Sequence, residues 1–392
     1  PRLWRHVLRP YRAGRRRLRL RFPRRQGSDS RTGNPLDPQP RGEVLMKVGL
    51  FDHVEHGQRP LATLFDERLT FAKAAEEAGI YCLHVAEHHA TPLNMVPVPG
   101  VYLGALARET SRLRLGPLVY LLPLYSPLRL IEEIAMLDHL SHGRLEVGIG
   151  RGVSPFELKY HKIDHEESRA IFIDAFDCIS AGLTTDTLNY SGKYYQFEDV
   201  PIALRPVQQP HPAFWYGSSN TTGAAWAGEH GMHFVSLGPT PFAKTNIDAF
   251  KQALAKRGGP AQPKAEFPGG TAIGVLRHIF VADSDAEAKR FGKPAMELHL
   301  AHLNWLRDKH GVTGPASRIN VPRGATFEDC VADGSVISGT PARVREEIET
   351  QVRELGVNYL LTYLFMGAMT LPEALRSLAL FSREVMPALA RL

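Results

Sequence analysis

Three stretches of this 392-residue sequence gather residue types that can do chemistry. The first is Glu87-His88-His89, which follows the apolar run Tyr81–Ala86. Burying three titratable side chains is costly unless they are paired or hydrogen-bonded. A histidine, with an ordinary pKa of about 6.5, can move protons at neutral pH. His and Glu also ligate metals, yet neither an HExxH pattern nor a second cluster at standard ligand spacing accompanies them. A histidine pair that is merely satisfied or exposed is the competing reading. The second stretch is Gly148-Ile149-Gly150-Arg151-Gly152-Val153-Ser154. Glycines let backbone amides approach an anion, and arginine adds a rigid fork of donors. The match to the dinucleotide fingerprint is poor, because that pattern needs Gly or Ala where Val153 stands. A tight strand-to-helix turn is the alternative. The third stretch, Gly217-Ser218-Ser219-Asn220-Thr221-Thr222-Gly223, precedes an expected helix at Ala224–His230. Small hydroxyl residues cap helices there, and the same free amides and helix dipole attract phosphate.

The elements that must carry these stretches alternate short apolar runs with longer amphipathic ones, the pattern of βα units and a parallel sheet. Eight strands are expected at Val48–Phe51, Tyr81–Ala86, Leu113–Val119, Leu145–Ile149, Ala213–Tyr216, His233–Ser236, Ile273–Val281 and Tyr359–Tyr363. Helices are expected over 61–78, Leu128–Leu140, 167–183, Pro341–Leu355 and 372–390. The aromatic segment 186–210 reads as a small hairpin. Eight parallel strands close into an α/β (β/α)₈ TIM barrel, whose working residues sit at the carboxyl ends of its strands. All three chemical stretches begin at such ends. The segment 284–338 is too long for one connection and is expected to hold a helix, Ala286–Arg307, and to act as a lid.

Composition narrows the function classes. The net charge of +6 arises from residues 1–45, whose 13 arginines and three acids give +10, so the remaining chain carries −4. The body is therefore not a nucleic-acid surface. The arginine-rich leader reads as a stretch outside the native fold, included by a wrong start choice, ahead of the domain 46–392. A nucleic-acid or membrane arm and an organellar transit peptide are the other readings of it. No apolar run approaches the roughly 20 residues of a membrane span. Cys82, Cys178 and Cys330 form no disulfide framework or metal knuckle, which fits a cytoplasmic location.

Taken together, the strand end "VAEHH", the turn "LVYLLPLYSPLRL" leading to "EEIAMLDHLSHGR", the strand and loop "RLEVGIGRG", and the later Ser/Thr loop occur in one order. That set resembles the bacterial luciferase-like, flavin-dependent monooxygenase family from Met46 to the end of the chain. The resemblance implies a cofactor, reduced FMN supplied by a separate flavin reductase. It also implies reaction with O₂ through a C4a-peroxyflavin and oxygenation of a small organic substrate. It places the FMN phosphate on Arg151, Ser219, Asn220 and Thr221, within the frame of Gly150, Gly152, Ser154, Gly217 and Ser218. It puts a non-prolyl cis peptide near Leu118–Val119 beneath the flavin ring. His88 matches the family's catalytic histidine, with His89 and Glu87 beside it, and Glu157, grouped with the cofactor-binding residues, matches an acidic position after the arginine loop. A homodimer is the family expectation. Luciferase itself has a reactive cysteine where Gly150 stands here, so light emission does not follow, and the glycine suggests room for a bulkier substrate. Three alternatives stand: an F420-dependent dehydrogenase of the same superfamily, a non-catalytic flavin-binding barrel, and a metal-dependent TIM-barrel hydrolase using Glu87, His88 and His89.

Overall fold

Each short apolar run of the chain becomes a parallel strand, and each amphipathic run becomes a helix laid over it. A computed structural model of the protein describes residues 46–312 and 324–392. The arginine-rich leader and part of the expected lid, 313–323, lie outside the described residues. The chain opens with β1 (Lys47–Asp52), α1 (Leu61–Glu77), β2 (Cys82–Val85), α2 (Pro99–Glu109), β3 (Arg114–Pro117), β4 (Tyr120–Leu121) and α3 (Pro127–Leu140). It continues with β5 (Val147–Gly150), α4 (Pro155–Tyr160), α5 (Ser168–Thr184) and the antiparallel hairpin β6 (Thr187–Ser191) and β7 (Gln196–Pro201). Next come β8 (Phe214–Ser218), α6 (Thr221–Glu229), β9 (His233–Ser236), α7 (Thr240–Arg257) and β10 (Ile273–Val281). The last third holds α8 (Asp285–Lys309), α9 (Phe327–Ala332), β11 (Val336–Gly339), α10 (Pro341–Leu355), β12 (Tyr359–Tyr363), α11 (Leu371–Leu380) and α12 (Met386–Leu389).

The sheet order is β3-β2-β1-β12-β10-β9-β8-β5-β4. β3 and β4 are two halves of one strand, parted by the cis peptide Leu118–Val119. The two ends of the order are thus one barrel strand, and a Leu115–Leu145 bridge joins its first half to the β5 side. Eight barrel strands result, as expected. Other features differ from the expectation. Helices α2, α7 and α9 are additional, α7 burying Ala243, Ile247, Phe250 and Leu254 at helical spacing, and the single helix expected over 372–390 is divided into α11 and α12. The segment 284–338 is not only a lid, because its last part, β11, pairs in parallel with β10. Four residues with two apolar side chains give too short a signal to read as a strand. Among the described residues no helix is long and apolar enough to cross a membrane.

The amino-terminal end of the barrel is plugged. Glu146 is fully buried and accepts from Trp215 Nε1 at 2.7 Å, from Lys264 Nζ at 2.5 Å and from the Arg114 guanidinium. Burial opposes its ionisation, but Arg114 and Lys264 hold its carboxyl down to about 2. Tyr359 crosses the same space and meets His84 Nε2 at 3.1 Å. With that end filled, the carboxyl ends of the strands are left to enclose a site.

Closure of the barrel needs glycine where β5 runs beside the split strand. A Cβ on Gly148 would sit 2.3 Å from the Pro117 carbonyl oxygen and 2.9 Å from Leu118 Cα. These are backbone atoms and cannot swing aside. Gly148→Ala is therefore expected to lower stability by about 1–3 kcal/mol in urea denaturation. Gly104→Ala, in α2 with open space around its Cβ, is expected to raise it by about 0.5–1 kcal/mol. Equal effects of the two substitutions would show that the seam is not tightly packed.

Candidate active site

A cavity of roughly 570 Å³ opens at the carboxyl ends of the strands. Of the residues expected there, Glu87, His88, Leu118, Val119, Gly150, Arg151, Gly152, Ser154, Glu157, Gly217, Ser218, Ser219 and Asn220 line it. His89 and Thr221 do not, because each is directed elsewhere. His89 packs edge-on against His161 with ring centres 4.5 Å apart. Thr221 is exposed at the first turn of α6.

The Glu87-His88-His89 stretch splits as it leaves β2. Glu87 is buried, and its Oε2 accepts from the Leu121 backbone N–H and the Tyr125 hydroxyl, both at 3.0 Å. Its Oε1 meets His89 Nε2 at 2.8 Å. His88 turns the other way, and its Nδ1 lies 3.2 Å from Glu157 Oε1. Glu157 Oε2 accepts the backbone N–H of His89 at 2.8 Å. A carboxylate can only accept, so His88 Nδ1 carries the proton and Nε2 is the ring's remaining nitrogen. The three side chains do not converge on one centre, which removes the metal-hydrolase arrangement considered for them.

Glu157 owes its place to the start of α4. Ser154 caps that helix by accepting the Glu157 backbone N–H at 3.3 Å. Burial alone would raise the Glu157 carboxyl, but the His88 ring and the His89 N–H hold it below its ordinary value. Burial alone would lower His88, but the Glu157 carboxylate raises it above the ordinary imidazole value. The sequence resemblance grouped Glu157 with the cofactor residues. In the structure it is the hydrogen-bond partner of His88.

On the opposite wall, Arg151 follows β5 and donates from Nη1 to Ser168 Oγ at 3.2 Å. The turn after β8 folds on itself: Ser218 Oγ donates to the Asn220 carbonyl at 2.9 Å and accepts the Asn220 N–H at 3.2 Å. Asn220 Oδ1 caps α6 by accepting the Gly223 N–H at 2.9 Å. The hydroxyl of Ser218 and the oxygen of Asn220 are thus spent on the turn. Arg151, Ser219 and the amino end of α6 lie in the same corner of the cavity. Gly150 does not open extra room, because a Cβ there would fall 2.4 Å from Val119 Cγ2. Val119 already fills the space that the glycine was expected to free.

A further histidine group, absent from the sequence expectation, lies on this cavity. His53 follows β1, and its ring stacks on that of His88 at 5.5 Å. His278 ends in the same cavity from β10, and His299 and His302 reach it from α8. The signal available was the pair of histidines three apart on an expected helix, which places them on one face.

The described fold agrees with comparisons to known proteins. A family model described as luciferase-like monooxygenase matches residues 46–359. An uncharacterised protein, y4wF, of Sinorhizobium fredii is 36% identical over 341 residues, 87% of this chain and 96% of that protein. The oxygenase component of the flavin-dependent trigonelline monooxygenase of Acinetobacter baylyi is 28% identical over 262 residues, 62% of this chain and 67% of that protein. Among solved structures, the oxygenating constituent of 3,6-diketocamphane monooxygenase from Pseudomonas putida, in complex with FMN, superposes with a TM-score of 0.71 at 22% identity over 88% of this chain and 98% of that one. An F420-dependent secondary alcohol dehydrogenase shares the fold with a TM-score of 0.66 at 16% identity, covering 88% of this chain and 99% of that one. Matched over most of its length, the chain belongs to the luciferase-like monooxygenase family.

Proposed function

We propose that this chain is the oxygenating component of a two-component monooxygenase. In this reading it takes reduced FMN from a separate flavin reductase and uses O₂ to oxygenate a small organic substrate. The observation that carries the reading is that one cavity is lined by an anion-binding corner, Arg151 with the Ser218–Asn220 turn, and by the His88–Glu157 pair. The donors fit FMN: a guanidinium fork, a small polar side chain and free helix amides are what a phosphomonoester needs. The relative named as an oxygenase component supports the need for a reductase. Reduced FMN, when bound, supplies the electrons for O₂ activation.

The residues of this chain then have distinct tasks. Arg151 and Ser219 hold the phosphate. Gly152, with φ 88°, lets the backbone turn at the arginine without a Cβ in the way. Leu118 and Val119 offer an apolar surface to the flavin ring. Glu157 holds His88 by Nδ1, so Nε2 gives or takes the proton that oxygen transfer requires. Met296, Leu300, Leu303 and Leu306 of α8 line the cavity with apolar surface and keep water from it, the part expected of a lid. Titration with FMN, FAD and F420, each oxidised and reduced, tests the cofactor. Reduced FMN is expected to bind most tightly. A preference for F420 would turn the reading to an F420-dependent dehydrogenase.

Three substitutions test the assigned tasks. Arg151→Ala is expected to weaken FMN by roughly ten- to hundredfold while leaving riboflavin nearly unchanged. Equal weakening of both would place Arg151 away from the phosphate. His88→Ala is expected to leave FMN affinity within a few-fold, to reduce substrate oxygenation by about 10²–10⁴, and to raise the peroxide released per flavin oxidised. Oxygenation at the parental rate would end the proton-transfer assignment.

The third concerns pH. His88 is raised and Glu157 lowered from their ordinary values. The stability His88 draws from the pair is full below the ordinary imidazole value and is lost as pH rises through its raised pKa. The Glu157 share is lost as pH falls through its lowered pKa. Both shares are present between roughly pH 4.5 and 6.5. Glu157→Gln is expected to move the His88 ring titration, followed by NMR, to lower pH, and to cost most stability inside that window. An unmoved titration would show that the pair is not formed in solution.

A further inference from the structure

A second polar cluster lies beside His88, and the proton chemistry above makes no use of it. Its centre is Glu55, fully buried, in the loop after β1. Glu55 Oε1 contacts His299 Nδ1 and accepts from the Tyr363 hydroxyl at 3.2 Å. Glu55 Oε2 has no hydrogen-bond partner among the described residues. It faces His302 Nδ1 at 3.5 Å, and that nitrogen also lacks a partner. His53 Nδ1 is a third buried atom without one. His53 and His302 are each 8% exposed, so bulk water does not serve these atoms.

From these residues we infer that His53, Glu55 and His299 form a binding site for a divalent transition-metal ion of the zinc or ferrous class. One ligand atom from each of the three lies within 4.8 Å of the others. Bonds of about 2.0–2.1 Å would draw tetrahedral ligand atoms to roughly 3.3 Å apart, a closure that side-chain rotation can supply. Two imidazoles and one carboxylate are a donor set for borderline divalent ions rather than for Mg²⁺ or Ca²⁺. The support expected around a ligating carboxylate is present too, since the Tyr363 hydroxyl donates to Glu55 and accepts the backbone N–H of His53 at 3.4 Å.

A purely hydrogen-bonded reading fits the same atoms less well. The His299 contact satisfies Glu55 Oε1 only. It leaves His53 Nδ1 without a partner and sets Glu55 Oε2 against His302 Nδ1 only at 3.5 Å, in an interior where poorly paired polar atoms are unfavourable. One cation held by His53, Glu55 and His299 gives the Glu55 carboxylate and the His53 ring a partner. The ligands come from two places, the loop after β1 and the face of α8, so the ion ties the inserted helix to the barrel beside the cavity mouth.

The test uses the full chain without flavin, so its outcome is independent of the cofactor reading. The protein is stripped with a chelator, dialysed into metal-free buffer, and titrated with Co²⁺. The expected result is saturation at one equivalent, with the intense visible bands of four- or five-coordinate cobalt and a rise in the thermal midpoint. Competition with Zn²⁺ and with anaerobic Fe²⁺ then identifies the preferred ion. Glu55→Gln and His299→Gln are each expected to weaken uptake by at least about 100-fold, more than loss of a supporting partner does. His161→Gln, which lies against His89, is expected to leave it unchanged. Absence of saturable one-to-one uptake by the unsubstituted protein, or a spectrum of hexahydrated cobalt, overturns the site even if a variant fails to fold. Uptake with the same spectrum in Glu55→Gln overturns it as well, by placing the ion elsewhere.

Discussion

The Glu157 carboxylate holds the working end of the barrel together. One oxygen takes the His88 ring and the other takes the His89 backbone N–H, so α4 is bound to the end of β2. The contact spans 69 residues of sequence, yet it depends on a local event, the capping of α4 by Ser154. A buried carboxylate needs such donors to remain charged. Glu87 applies the same constraint one residue earlier, taking the Leu121 N–H, the Tyr125 hydroxyl and His89. Two adjacent histidines are thereby divided between two carboxylates. One ring is held at the cavity and the other against His161.

This division works because the barrel is asymmetric along its axis. Its amino-terminal end is filled by Tyr359, Trp215 and the Glu146 cluster, and a Cβ on Gly49 would collide with the Tyr359 hydroxyl. The carboxyl end cannot be filled in the same way, since its strands run out into polar loops. The inserted helix α8 covers part of that opening and brings an apolar row together with His299 and His302. The cavity thus joins the corner of Arg151 and the Ser218–Asn220 turn, a held imidazole and a buried histidine group.

The βα alternation was legible because strand and helix periods differ and the apolar runs are short and well bounded. Three strands, His233–Ser236, Ile273–Val281 and Tyr359–Tyr363, have the ends that the apolar runs imply. The ends of β2, β5 and β8 were legible as chemistry, because titratable side chains or glycines directly after buried strands have few structural uses. β11 was not legible, since Val336–Gly339 becomes a strand only by pairing with β10.

Residue types and their order determined the barrel, the family and the stretches that meet at its mouth. The tertiary structure decided the pairings within it. It gave Glu157 to His88, turned His89 away, filled the space beside Gly150 with Val119, and brought Glu55 to His299 across 244 residues. The physical reason is that periodicity and helix caps are properties of neighbours along the chain. The partner of a buried charge is set by which strand ends closure of the barrel brings within hydrogen-bonding distance.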